Sequence, residues 1–462
     1  MQQTENKLGV MPIGKLIWNM SLPIMASMLV QALYNIVDSM FVSWFDQDAL
    51  TAVSLAFSAQ QLMIGLASGT AVGVNALMGR ALGAGEQKRA DTVAINGIIL
   101  AFFGAILCAV IGLSCSNALF TFQTDSQSII DYGNEYLTVI TGLSFAMFGQ
   151  MMFERLLQGT GRSLYSMYTQ GLGAIINIIL DPIFIFTLDM GVTGAAIATV
   201  IGQFIAMCLA LYFNLKKNTD IHLSLKGYRP NWKVIGNIYA IGLPSAVMMV
   251  VASCMTFLMN KILIVYHAAH ETAATAFGVY FKLNSFIFMP VFGMNNGIVP
   301  IIAYNYGAQN RSRMMEAIKR SVAYASCMML VGMGIFQTVP HILLKIFNAQ
   351  DELLAVSVPC LRIISLSFAI AGACIALITS FQALGKSMNS LLISFIRQLI
   401  VLVPSAFLLA RYGAEVGNSN LVWWSFPIAE IVALVITLLL FRRLYRNVIA
   451  PLPLHGISHE NT

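Results

Sequence analysis

The chain has 462 residues, of which 58% are hydrophobic and only 10% charged, with a formal net charge of +6. Soluble domains carry about 25% charged residues, so this composition cannot cover a water-facing surface. Apolar segments recur from end to end, and a water-soluble fold is excluded in favour of a polytopic membrane protein.

A helix needs about 20 apolar residues to cross the hydrocarbon. Charged and turn-rich breaks mark spans at 17–45, 52–79, 93–118, 133–157, 163–187 and 193–215, then at 236–266, 272–304, 318–344, 356–381, 388–410 and 421–441. The first span has no small-residue cleavage site after a short apolar core, so it reads as a retained helix. With the amino terminus inside, twenty Lys and Arg fall in cytoplasmic loops, and only Lys345 and Arg411 fall outside. This asymmetry predicts an even number of spans with both termini cytoplasmic. It also accounts for the basic character without nucleic-acid binding.

Several local patterns carry little. The seven cysteines are scattered through apolar segments without a CxxC pair and read as packing groups. His267 and His270 sit at the outer end of the seventh span, with no metal role expected. "LGKS" (Leu384 to Ser387) resembles the end of a phosphate-binding loop, but Ser380 stands where the first glycine belongs. "NRS" at Asn310 falls in a cytoplasmic loop, where a glycosylation sequon goes unused.

Duplication is more informative. "SGTAVGVNALMGRALGAGEQKR" from Ser68 aligns with "FGMNNGIVPIIAYNYGAQNRSR" from Phe292, superposing Gly69 on Gly293, Gly73 on Gly297 and Gly83 on Gly307. In the same register "LQGTGRS" (from Leu157) meets "FQALGKS" (from Phe381), and "SLPIMAS" at Ser21 pairs with "GLPSAVM" at Gly242. Each half therefore holds six spans. An even number inserts both halves in one orientation, related by a pseudo-two-fold axis along the membrane normal with a cleft between them. The expected organisation is an N-terminal lobe at 1–215, a linker loop at 216–233, a C-terminal lobe at 234–446 and a tail at 447–462. Paired glycines permit close helix approach. Prolines within spans (Pro23, Pro182, Pro244, Pro290, Pro300, Pro404, Pro427) are expected to break the helical ladder and provide bends.

Together the twelve spans, the doubled "LQGTGRS/FQALGKS" loop, "GRALGAGEQKRA" with its counterpart "YNYGAQNRSRMMEA", and "NIILDPIFIF" resemble the multidrug and toxic compound extrusion (MATE) transporters. The similarity covers essentially the whole chain. It implies an all-α fold of two six-helix lobes and export of bulky cationic or amphipathic compounds driven by inward H⁺ or Na⁺, with no other cofactor.

Asp38, in "LVQALYNIVDSMFVSWF", and Asp181 lie deep in the first and fifth spans. A carboxylate in hydrocarbon costs about 2.5–3.5 kcal/mol on insertion scales, so such groups face a cavity or a partner. Two acids held together away from water favour a shared proton. Asn177 lies one helical turn before Asp181, and its carboxamide can hydrogen-bond a carboxylate or ligate a hard cation. The resemblance assigns ion coupling to Asp38, Asn177 and Asp181, with Na⁺ the one metal in prospect. It adds Thr199 to that site, and Tyr34 and Tyr136 as cavity neighbours. A purely structural buried hydrogen bond is the plain alternative.

The seventh and tenth spans, "SCMTFLMNKILIVY" and "FAIAGACIALITSF", carry no acid, so coupling is expected in the N-terminal lobe. Glu430 is expected to neutralise a basic neighbour or to meet a cationic substrate. Lys282 is a further cavity or gate candidate, and Glu154 with Arg155 reads as a gate pair. Met and Phe clusters suit a pliable cavity or plain packing. The overall expectation is a monomeric multi-pass transporter of the cytoplasmic membrane, bound by lipid and small molecules. A lipid-linked saccharide flippase is the alternative within transport, although it would line its cavity with more basic residues. A membrane enzyme is disfavoured because HExxH and GxSxG are missing and no histidine lies deep in a span.

Overall fold

A computed structural model of the chain describes residues 6–224, 230–345 and 351–454, apart from the side chains of 58, 270 and 271. Lys226 and Arg229 of the linker, the His270 side chain and the end of the tail lie outside the described residues. Among those described there is no strand. A short turn, α1 (Lys7–Val10), leads into α2 (Ile13–Phe45), α3 (Gln47–Gly83), α4 (Gln87–Gln123), α5 (Gln127–Gly142), α6 (Phe145–Gly159), α7 (Ser163–Pro182) and α8 (Gly191–Lys216). The second half repeats the series. It comprises α9 (Trp232–Tyr266), α10 (His270–Gly307), α11 (Arg311–Thr338), short α12 (Pro340–Lys345), α13 (Asp351–Ser365), α14 (Phe368–Ala383), α15 (Ser387–Phe395), α16 (Val403–Val416) and α17 (Ser425–Leu444).

Among the described residues, ten helices are long and apolar enough to cross a membrane, and two bent pairs, each taken as one span, bring the total to twelve. The bent pairs are the fourth span of each half: α5 meets α6 at 47°, and α13 meets α14 at 53°. Neither break lies at a proline. Pro23 and Pro244 sit inside helices that continue through them, Ile13–Phe45 and Trp232–Tyr266. At the breaks a Leu-Ser dipeptide interrupts the ladder, and polar groups are satisfied by neighbouring helices. Ser144 Oγ donates to the Ala105 carbonyl at 3.0 Å, and Ser326 Oγ donates to the Ala369 carbonyl at 3.2 Å.

Two six-helix lobes meet where α2 and α3 pack on α9 and α10. The start of each half is built into the other half's core. Leu8, Ile13, Leu16, Ile17 and Met20 are buried among residues of the C-terminal lobe, while Ile238 and Ile241 of α9 are buried among α3, α4 and α6. Glycines make this contact possible. A Cβ on Gly83 would lie 1.9 Å from the Tyr304 carbonyl oxygen, and one on Gly307 would lie 2.0 Å from that of Arg80. Gly69 and Gly242 face each other similarly, with each Cβ 2.5 Å from the other's carbonyl oxygen. Arg80 crosses the seam to donate to the Leu384 carbonyl at 3.0 Å.

All these contacts lie toward the end of the bundle that carries the basic loops. There the amino-terminal segment ties the lobes together. Asn6 caps α1 and donates to Asp220 at 3.1 Å, and Arg162 holds the same carboxylate at 2.8 Å. From the other lobe, Arg313 donates to the carbonyls of Met11 at 2.7 Å and Leu8 at 3.3 Å. At Gly65 the approach is ordinary, with a Cβ lying 3.5 Å from the Met249 sulfur.

Gly83→Ala should force α3 and α10 apart and cost about 1–3 kcal/mol, as overpacking does. Thermal unfolding in detergent should show the loss, and spin labels across the basic end should report a longer distance. An unchanged distance and melting temperature would contradict the seam described above.

Candidate functional site

The interior acids are brought together by the packing of α2, α7 and α8. At the α7–α8 crossing a Cβ on Gly202 would lie 2.7 Å from the Gly173 carbonyl oxygen, so only glycine lets the helices approach this far. One turn along, Asn177 and Thr199 consequently come within reach. Asn177 Nδ2 donates to Thr199 Oγ1 at 3.3 Å and to Asp181 Oδ1 at 3.1 Å. Asp181 is followed by Pro182, which has no N–H, and the chain continues through a widened turn, Ile183–Thr187. The carboxylate thus stands where the helix ladder is already interrupted.

Asp38 approaches from α2. Its carboxyl group and that of Asp181 face one another within hydrogen-bonding reach. Asp38 is 9% exposed, Asp181 is fully buried, and neither forms an ion pair among the described residues. Three enclosed oxygens here lack a hydrogen-bond donor: Asp38 Oδ1, Asp181 Oδ2 and Asn177 Oδ1. Two facing carboxyls with no basic partner make this an acceptor-rich corner of the lobe. Carboxylate and carboxamide oxygens are the acceptor types that a proton or a small hard cation takes. Among the described residues there is no cluster of three or more His, Cys, Asp or Glu that would hold a resident metal.

Asp38, Asn177 and Thr199 line a cavity of about 210 Å³, while Asp181 is buried outside its lining. It lies within the N-terminal lobe and is bordered by Asn296 of α10. Tyr34 and Tyr136 line it as expected, and Gln60 Nε2 donates to the Tyr136 hydroxyl at 3.1 Å. A larger open groove of about 580 Å³, lined by Arg311, Lys319 and Arg320, lies at the basic end and contains none of these acids.

Other expected residues fall elsewhere. Glu154 and Arg155 line the cavity but do not pair with each other. Glu154 Oε1 accepts from Gln150 at 3.0 Å and Thr169 at 3.0 Å, while Arg155 Nη1 donates to Gln158 at 3.1 Å. Consecutive helical residues diverge by about 100°, which prevents the gate pair expected from adjacency. Glu430 is in the other lobe and pairs with Arg397 at 3.2 Å. Lys282 is exposed on α10 and does not line the cavity. The register that aligns Pro23 with Pro244 puts Met259, fully buried, at the place of Asp38. The sequence reading missed the glutamines of the wall, among them Gln31 and Gln170, which bond at 3.1 Å. Their signal was available, since uncharged amides inside apolar spans also need partners.

Comparison with known proteins agrees with this architecture. The MatE family model matches residues 23–183 and 244–408, one match in each half. The multidrug export protein MepA of Staphylococcus aureus (strain NCTC 8325 / PS 47) is 26% identical over 445 residues, covering 94% of this chain and 95% of that protein. MepA of Staphylococcus haemolyticus (strain JCSC1435) is 26% identical over 421 residues, covering 91% of each. Among solved structures, an outward-facing multidrug resistance MATE family transporter of the MOP superfamily superposes with a TM-score of 0.90 at 24% identity, over 97% of this chain and 99% of that one. A MOP superfamily transporter from Pyrococcus furiosus, described as having a binding pocket of reverse polarity, superposes at 0.91 and 24% identity over the same shares. The fold and its interior polar site define a membrane transporter and not an enzyme. The chain belongs to the MatE family.

Gly202→Val should separate α7 from α8, break the Asn177–Thr199 contact and lower stability by about 1–3 kcal/mol. Gly171→Ala, where an added Cβ meets nothing within 4 Å, should be neutral. Paired melting curves in detergent check the contrast, and equal shifts for both variants would refute it.

Proposed function

We propose that the chain is a secondary active multidrug efflux antiporter that exchanges cationic or amphipathic compounds for H⁺ or Na⁺ by alternating access. The observation that carries this reading is the trio of enclosed, donor-less oxygens on Asp38, Asn177 and Asp181. Uncompensated, such a site disfavours its own burial; one positive charge relieves it. Ion loading therefore supplies free energy that depends on how the lobe is packed, which is the requirement for coupling.

The chain's own groups suit this role. Asn177 holds one oxygen of Asp181 and leaves its carbonyl for the ion, and Thr199 fixes the amide. The interrupted ladder at Pro182 lets the end of α7 repack when the charge between the acids changes. The proposed orientation in the cytoplasmic membrane has the basic loops and both termini inside. On that orientation the glycine seam would lie at the cytoplasmic side. Ion binding from outside would then favour release of the exported compound, and ion loss to the cytoplasm would reset the lobe. The flippase reading is less well supported, since Arg155 is the one Lys or Arg among the described residues that line the cavity.

Proteoliposomes loaded with a fluorescent organic cation, given a pH gradient or a sodium gradient separately, test the proposal. One gradient should drive dye movement in the unmodified protein, and Asp38→Asn and Asp181→Asn should each abolish it. Undiminished movement in both variants would place the coupling elsewhere.

A further inference from the structure

A groove at the basic end of the second lobe has no part in the ion site. Its volume is about 580 Å³, and it is lined by Arg311, Glu316, Lys319 and Arg320 on one face of α11 and by Tyr445 and Leu454 from the end of the chain. Arg311 is held in place without an acid. Its Nη1 donates to the Ala450 carbonyl at 3.2 Å, its Nη2 donates to the Tyr445 hydroxyl, and the guanidinium lies 5.3 Å from the centre of the Tyr445 ring. Arg320 pairs with Glu316 at 2.8 Å, and Lys319 is exposed with no ion pair among the described residues. Three basic groups therefore stand against one carboxylate. The start of the helix itself is already occupied, since the N–H groups of Arg311 and Ser312 donate to the Pro453 and Leu454 carbonyls at 3.2 and 3.0 Å.

The same place in the first lobe is covered. In the register that superposes Gly83 on Gly307, Lys319 and Arg320 correspond to Ile95 and Asn96, which are both buried. There the linker crosses α4: Gln87, the counterpart of Arg311, donates to the Asp220 carbonyl at 2.6 Å, and the His222 N–H donates to Asp91 at 2.8 Å. One lobe thus closes this face, and the other leaves it open and basic.

Further along α11 the exposed face turns apolar. Ala323, Cys327, Leu330 and Val331 continue the stripe from Lys319 at helical spacing, and all are exposed. The helix has 28 residues, about 42 Å of rise against about 30 Å of hydrocarbon. With Thr338 at one edge of the hydrocarbon, the surplus of about eight residues brings Lys319 and Arg320 to the other edge and Arg311 into the headgroup zone.

We infer that this groove is a binding site for an anionic phospholipid, whose phosphodiester is held by Arg311, Lys319 and Arg320 while its acyl chains lie along the apolar stripe of α11. Guanidinium groups take phosphate oxygens in pairs, and a lysine adds a point charge. Basic pockets beside spanning helices are where such headgroups bind. A zwitterionic headgroup would bring its ammonium against three cations and gain little. The apolar stripe favours a lipid over a soluble phosphate. On the orientation proposed above, the lipid belongs to the inner leaflet. The groove acts independently of the antiport reading.

The purified full-length protein in an uncharged detergent is titrated with phosphatidylglycerol, with phosphatidylcholine and with inorganic phosphate, and mass spectrometry of the intact complex counts the bound ligand. Phosphatidylglycerol should bind at least about tenfold more tightly than phosphatidylcholine, and millimolar inorganic phosphate should not displace it. Lys319→Gln should weaken phosphatidylglycerol about fivefold, and Arg311→Gln combined with Lys319→Gln about thirtyfold, the scale expected for one and two basic groups at a charged lipid surface. Lys88→Gln combined with Lys216→Gln removes two exposed charges from the same end of the first lobe and should leave the affinity unchanged. Equal binding of the two lipids, displacement by phosphate, or an equal loss in the two double variants would overturn the inference. The lipid ranking and the phosphate competition decide the matter even if Arg311→Gln does not fold. None of these readouts involves transport, so a failed dye assay would sink only the antiport reading.

Discussion

Two carboxyl groups sheltered from water, facing each other with no basic partner, constrain everything else in this protein. Asp38 and Asp181 could be neutralised cheaply by a lysine or an arginine, as Glu430 is by Arg397 in the other lobe. Instead, the surrounding groups leave oxygens open. The helices around the site are packed to hold it together: small residues at the α7–α8 crossing, an amide fixed between acid and hydroxyl, and a proline that interrupts the ladder beside Asp181.

The seam between the lobes shows how such a site can be linked to a large motion. Close packing of α3 against α9 and α10 depends on backbone meeting backbone at Gly69, Gly83, Gly242 and Gly307, and small residues make association strong only where both surfaces fit. Such an interface is formed or absent as a unit. The amino-terminal strap, gripped by Asp220 on one side and Arg313 on the other, closes the same end, so the basic face opens only when hydrogen bonds across both lobes are given up together.

Duplication produced two lobes with one architecture and different interiors. The bend of the fourth span recurs in both, as do the glycines of the seam. The charged interior does not: where one lobe has Asp38 and Glu154, the other has Met259 and Ile378. The backbone plan recurs because both halves must meet each other, while the interior chemistry differs between them.

Much of this was legible in the sequence. Hydropathy and charge set the number of spans, the repeat set the six-plus-six plan, and depth within an apolar run singled out Asp38 and Asp181, because each of these depends on neighbours along the chain. Other features depend on contacts between residues far apart in sequence, and only the tertiary structure decided them. Adjacent Glu154 and Arg155 read as a pair, yet helix geometry turns them apart. Lys282 read as interior, yet packing leaves it exposed. The fourth spans bend at Leu-Ser steps and not at the prolines, because neighbouring helices supply the missing partners. The exchange of first helices between cores was invisible for the same reason: a periodic pattern tells how deep a residue lies and which way it faces, but not which helix, hundreds of residues away, will cover it.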